Sequence, residues 1–166
     1  MTVLAVDRDP VALTLTIVCD FDAPAARVWQ VWADPRRLER WWGPPTYPAT
    51  VVDHDLAPGG RVTYFMTGPD GATYHGWWRV TAVDAPHSLE FEDRFADESG
   101  RPDDTLPITS IEVRLTAATA AKTRMTMISR FASIADMERV IAMGTEQGMA
   151  LAVEQIDAIL AAPTQP

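Results

Sequence analysis

Cysteine is nearly absent from this 166-residue chain, and the single residue, Cys19, has no internal partner for a disulfide, so nothing requires an oxidising compartment. Its place in an apolar stretch favours an inert buried thiol. Positive charge is also scarce: 14 Lys and Arg against 23 Asp and Glu leave a net charge of -9. A face that neutralises phosphates needs cations, so neither nucleic acid nor an anionic membrane is an expected partner. The one basic cluster, Arg36, Arg37 and Arg40, reads as a solvated helix face. No run approaches the ~18 apolar residues of a membrane span, and no basic-then-apolar leader opens the chain. A soluble, cytoplasmic protein is the expectation. Also missing are a Gly-rich phosphate loop ending in Lys-Ser/Thr, a Gly-x-Ser-x-Gly elbow and cysteine pairs at zinc spacing, so no cofactor is expected.

The histidines do not restore a metal site. In Asp53-His54-Asp55 a strand sends His54 to one face and both acids to the other, so the three cannot close on one ion. His75 and His87 fall near hairpin ends, where a solvated side chain is expected, and Glu90, Glu92 and Arg94 read as an exposed charged stripe.

What the chain does have is core material, 47% hydrophobic residues in a length that suits one domain. Residues 1–10 form a polar lead-in without a strong local signal, 11–162 the domain and 163–166 a tail. Val11 to Phe21 alternates as a first strand, with Leu13, Leu15, Ile17 and Cys19 on one face. Pro24 opens a short helix carrying Val28, Trp29, Val31 and Trp32, and Asp34-Pro35 caps and starts a second. From Tyr47 to Phe131 about six strands follow, separated by turns such as Gly68-Pro-Asp70-Gly71. The polar loop at 97–107 interrupts them.

The last element, Ser133 to about Ala161, reads as one amphipathic helix that Pro163 stops. Ser133 and Asp136 resemble a capping box, and Ile134, Met137, Ile141, Gly144, Gly148, Ala152, Ile156 and Ile159 recur at three- and four-residue steps. At about 1.5 Å per residue the rod spans roughly 42 Å, enough to cross a small domain. The order is α+β: an antiparallel sheet of about seven strands curved around a long C-terminal helix, with two short helices after the first strand.

Strand parity proposes the residues that face this helix: Val52, His54 and Leu56; Val62, Tyr64 and Met66; Trp78 and Val80; Leu89, Phe91 and Phe95; Met125 and Met127. Seven methionines and six tryptophans suit the wall of an apolar ligand chamber as well as they suit a filled core. The candidate cavity lining is His54, Tyr64, Met66, Trp78, Phe91, Met127, Gly144, Gly148 and Met149. Gly144 and Gly148, four apart, either let backbones pack tightly or leave the gap that would be the binding site. No catalytic residue is assigned, although His54 with Tyr64 or Trp78 could bond a ligand carbonyl or move a proton.

Several ordered stretches carry a family resemblance. Phe21-Asp-Ala-Pro24 with Val28-Trp29, Arg40-Trp41-Trp42-Gly43-Pro44, Leu56-Ala-Pro58-Gly59-Gly60-Arg61, Met66-Thr-Gly68-Pro-Asp70-Gly71, Val83-Asp-Ala-Pro86 with Leu89 and Phe91, and Gly148-Met149 resemble the bacterial SRPBCC proteins of the activator of heat-shock-protein-90 ATPase type. The resemblance implies the helix-grip fold of the START-like superfamily, whose members include lipid and hormone binders, polyketide cyclases and co-chaperone domains. Together with the Met- and Trp-rich inward face, it points first to a non-catalytic binder of a small hydrophobic or amphipathic molecule. A cyclase- or hydrolase-like enzyme using His54, and a co-chaperone or interaction module using a sheet edge or the Trp41-Trp42 corner, are the alternatives. Relatives often pair, so a homodimer is a further expectation, though no stretch specifies its interface. Two departures stand out: the chain has no room for the separate N-terminal domain of the eukaryotic co-chaperone, and Met149 stands where relatives often carry Trp.

Overall fold

The computed structural model describes residues 2–162. The expected stop at Pro163 and the tail at 163–166 lie outside the described residues. In chain order the elements are β1 (Thr2–Asp9), β2 (Thr14–Phe21), α1 (Ala25–Ala33), α2 (Pro35–Leu38), β3 (Ala49–His54), β4 (Arg61–Thr67), β5 (Thr73–Asp84), β6 (Ser88–Ala96), β7 (Thr109–Thr119), β8 (Lys122–Arg130), α3 (Ile134–Ala142), α4 (Thr145–Val153) and α5 (Ile156–Ala161). The strands form one curved antiparallel sheet in the order β1-β2-β8-β7-β6-β5-β4-β3, with C-terminal helices against it, the helix-grip arrangement.

Two boundaries differ from the expectation. The sheet has eight strands rather than about seven, because the supposed lead-in contains β1, paired with β2 from Thr2 opposite Asp20 to Asp9 opposite Thr14. The first predicted strand ran back to Val11, but residues 10–13 are the hairpin turn. Asp9 Oδ1 accepts from the backbone N–H groups of Val11 and Ala12, both at 3.0 Å, and Leu13 takes a positive φ of 58°. A charged edge strand reads as polar lead-in because one of its sides has no neighbour to demand an apolar pattern.

The single long helix is also broken. Ser133 caps α3 as expected, its hydroxyl accepting from the Asp136 N–H at 3.1 Å. Gly144 then adopts φ +86°, its N–H bonded to the Ile141 carbonyl at 2.9 Å, and α4 starts afresh. Left-handed backbone is where glycine commonly ends a helix, so the residue counted in the apolar stripe is the terminator. A second interruption, between α4 and α5, places Gln155, whose side-chain N–H donates to the Gly43 carbonyl at 2.7 Å.

Alternation holds through most of the sheet. In β2 Leu15, Ile17, Cys19 and Phe21 are buried while the residues between them are not. Val62, Trp78, Val80, Leu89, Phe91, Met125 and Met127 are buried in the same way. The second predicted strand shows where parity fails. Val51 pairs with Tyr64 and Asp53 with Thr63, leaving Val52 as an extra, 63% exposed residue. Val52 therefore points outward, contrary to expectation, and His54 returns to the inward side opposite Val62.

An aromatic cluster joins α1 and the segment after α2 to β5 and β6. Trp32 packs edge-on to Trp41 with ring centroids 4.7 Å apart, and Trp78 stacks on Phe91 at 3.9 Å. Trp41 and Trp42 are both buried, so the corner proposed as an interaction surface is interior, and the Trp41 N–H is spent on the Val31 carbonyl at 2.9 Å.

Candidate functional site

Core side chains do not fill the whole groove. Beyond the tryptophan cluster a cavity of about 540 Å³ remains, bounded by the 42–47 segment, by the facing ends of β4, β5 and β6, and by α3 and α4. The helix side is open because of what it lacks. A Cβ built on Gly148 would meet nothing within 4 Å, so the helix passes the cavity without a side chain at that position. Of the two alternatives for this glycine, tight backbone packing and a gap, the structure has the gap.

On the sheet side one residue sets the geometry. Gly76 lies directly opposite Tyr64, and a Cβ there would come within 2.1 Å of the Tyr64 ring. The absent side chain lets the phenol lie across β5 and reach β6, where its hydroxyl donates to Asp93 Oδ1 at 3.0 Å. Asp93 is half-buried on the cavity wall, and burial pushes its carboxyl up to about 7 although the Tyr64 hydrogen bond opposes the rise. The Tyr64 hydroxyl is pushed well above its ordinary value, first by burial and then by the adjacent Asp93 charge.

Trp42 completes this corner. It lines the cavity, is 3% exposed, packs edge-on against Trp78 at 4.7 Å and Tyr64 at 5.9 Å, and its indole N–H has no hydrogen-bond partner. Neither the Trp42 nor the Trp78 indole N–H has a hydrogen-bond partner among the described residues. A buried, unbonded donor costs roughly 1–3 kcal/mol.

Of the nine candidate residues, Tyr64, Met66, Gly144, Gly148 and Met149 lie on the cavity wall. Trp78, Phe91 and Met127 face inward but are consumed in the packed core below it. His54 is not on the wall: its ring sits under α1, where Nε2 lies 3.0 Å from the Trp32 carbonyl. A carbonyl only accepts, so Nε2 carries the proton and donates, and the histidine serves as a tether for the end of α1. Among the described residues it makes no hydrogen bond to Tyr64 or Trp78. Among the described residues no cluster of His, Cys, Asp and Glu could hold a metal ion, and no helix is long and apolar enough to cross a membrane.

Among the wall residues, sequence reasoning passed over Asp93 and assigned Trp42 to an interaction corner instead of the cavity. Asp93 falls between Phe91 and Phe95 on the inward parity of β6, so a carboxylate at an apolar position was the available signal. Trp42 had no such signal, because its place depends on how α2 leads into β3.

Comparison with known proteins follows the same lines. Residues 22–161 match the family described as Activator of Hsp90 ATPase homolog 1-like protein. The crystal structure of protein Ms6760 from Mycobacterium smegmatis is 51% identical, with a TM-score of 0.89, covering 99% of this chain and 100% of that one. A solution structure of a protein from Arthrobacter aurescens is also 51% identical, with a TM-score of 0.93 over 99% of this chain and 95% of that one. A Staphylococcus epidermidis protein, 23% identical with a TM-score of 0.81 over 98% of both chains, shares the fold. No curated protein matches the chain.

Proposed function

The chain belongs to the Activator of Hsp90 ATPase homolog 1-like protein family, and we propose that within it this protein binds a small hydrophobic or amphipathic molecule in the cavity beneath α4. The observation that carries this reading is the cavity itself. Its volume of about 540 Å³ falls within the usual range of small-molecule sites, its wall is mostly apolar and aromatic, and Tyr64 and Asp93 form a hydrogen-bonded polar pair on it. Apolar side chains also rim it. Tyr47, Tyr74, Met143 and Leu151 line the cavity and are partly exposed, a pattern that suits capture of an apolar molecule from water.

A neutral, environment-sensitive dye such as N-phenyl-1-naphthylamine tests the reading when paired with Gly148→Leu. The substitution meets no neighbouring atom at Cβ and places a side chain in the cavity region, so the fold is retained while the space is taken. Saturable fluorescence enhancement with the natural protein, reduced at least about tenfold in affinity by Gly148→Leu, is the expected result. Absence of saturable uptake, or uptake equal in the two proteins, would overturn the proposal.

A further inference from the structure

The cavity wall is nearly free of charge. Among the described residues that line it only Asp93 carries a carboxyl, and those contributed by α3, α4, β7 and the 42–47 segment are uncharged. Asp93 Oδ1 accepts from the Tyr64 hydroxyl at 3.0 Å, whereas Oδ2 makes no hydrogen bond among the described residues and, unlike the Trp42 and Trp78 indole nitrogens, is not sealed from solvent. Among the described residues no cation pairs with it. Arg94, the next residue on β6, also lines the cavity, yet its guanidinium lies 5.8 Å over the Trp77 ring and is engaged by Glu92 at 3.3 Å and Asp104 at 3.5 Å, with Nε buried and unbonded. His75 of β5 is turned to the Thr73 hydroxyl at 3.2 Å and the Phe65 ring at 5.4 Å. The other titratable groups on the wall are the phenols of Tyr47, Tyr64 and Tyr74.

With the chamber free, Oδ2 is open to water. An apolar ligand takes the place of that water and offers no hydrogen bond in return, which penalises the ionised carboxyl far more than the protonated one. We infer that the chamber takes up its ligand together with a proton, which Asp93 receives and holds while the ligand stays. This inference rests on the binding proposed above and assigns the regulation of that site: uptake is favoured on the acid side of neutrality and release on the alkaline side. Burial already pushes the ligand-free carboxyl up to about 7, which sets the pH range of the effect. Below that value Asp93 is protonated with or without ligand, and affinity is at its maximum. Above it each binding event must draw a proton from solution, so affinity falls with rising pH until the still higher value of the occupied chamber is passed.

Titration of N-phenyl-1-naphthylamine, uncharged throughout, at about pH 5.5 and about pH 9 tests this with the natural protein, Asp93→Asn and Tyr64→Phe. The natural protein should bind at least about tenfold more tightly at the lower pH, a factor that corresponds to about one pH unit in the carboxyl. Asp93→Asn should bind equally at both and match the acid value. Tyr64→Phe removes the donor that favours the ionised form, so its affinity should fall at a higher pH than that of the natural protein. Calorimetry of the natural protein at about pH 7.5, in buffers of different ionisation enthalpy, should register net proton uptake on binding. Saturable uptake with equal affinity at both pH values, or binding without proton uptake, overturns the linkage and leaves the cavity reading standing. A pH dependence that persists in Asp93→Asn belongs to another group and overturns it as well. No saturable uptake at either pH overturns both.

Discussion

The two ends of the groove between sheet and helices use the same kinds of residue to opposite effect. At the end covered by α1 and α2, Trp32, Trp41, Trp78 and Phe91 interlock edge-to-face and stacked, with nearly every atom buried. At the end covered by α4, Trp42, Tyr64, Met66 and Met149 surround a chamber. The difference comes from the opposite wall. The first end faces helices with Val28, Val31 and Trp32 turned inward, the second a helix with Gly148 at the corresponding place. Aromatic content therefore does not separate core from pocket; the bulk on the facing element does.

This contrast can be broken by substitution, and the largest effect belongs to the packed end. Trp78→Ala should cost about 3–5 kcal/mol in denaturant unfolding, whereas Met66→Ala on the chamber wall should cost about 1 kcal/mol or less. Equal costs would mean that the two ends are packed alike.

Next is a pH effect confined to the chamber. Asp93 is pushed up to about 7 in the folded chain and titrates near the ordinary carboxylate value when unfolded. Between about pH 4 and pH 7 the folded state thus holds a proton that the unfolded state has released, and this group's contribution to stability falls as pH rises. Asp93→Asn removes the term. The stability difference, variant minus natural protein, should grow across that window by up to about 4 kcal/mol and level off above it. A difference that stays constant with pH would show that the carboxyl is not desolvated.

A smaller effect is expected at Gly76→Ala. The added methyl would overlap the Tyr64 ring, so the phenol must swing away, at about 1–3 kcal/mol and with loss of the Tyr64–Asp93 hydrogen bond. Thermal unfolding and the disappearance of the Asp93 pH term together would check it. Retention of that term would mean that Tyr64 is held by something other than the space over Gly76.

Much of the architecture was legible from periodicity, because burial on one face enforces it. The strands from β3 to β8 fall within the expected span, and Trp78 lies inside as parity proposed. Misreadings occurred where that constraint lapses. β1 lies at an edge, Val52 sits in a bulge, and Gly144 satisfies an apolar stripe and a helix terminus with the same residue. The site was half legible for a related reason. Tyr64, Met66 and Gly148 follow from which face they occupy, but whether a face is filled or hollow depends on the opposite element, as Phe91 and Met127 show. His54 illustrates the remaining limit: its direction was predictable, while its partner, the Trp32 carbonyl, is distant in sequence and carries no pattern.

The interruption at Gly144 has one more consequence. Of α4, only Ala152 and Val153 are buried, and both stand at its C-terminal end, next to the point where Gln155 is fastened to Gly43. The first two turns border the cavity, held by Met149 against the core and by the Glu146–Arg8 ion pair, and are joined to the preceding helix through a residue with no side chain. Lifting those turns would give up the Met149 packing and that ion pair but leave the tryptophan cluster in place, so the free energy that separates a closed from an open chamber is a local quantity set apart from global stability. Exchange of the α4 backbone amides with solvent deuterium would then run on its own clock, and so would the entry and exit of whatever the chamber holds.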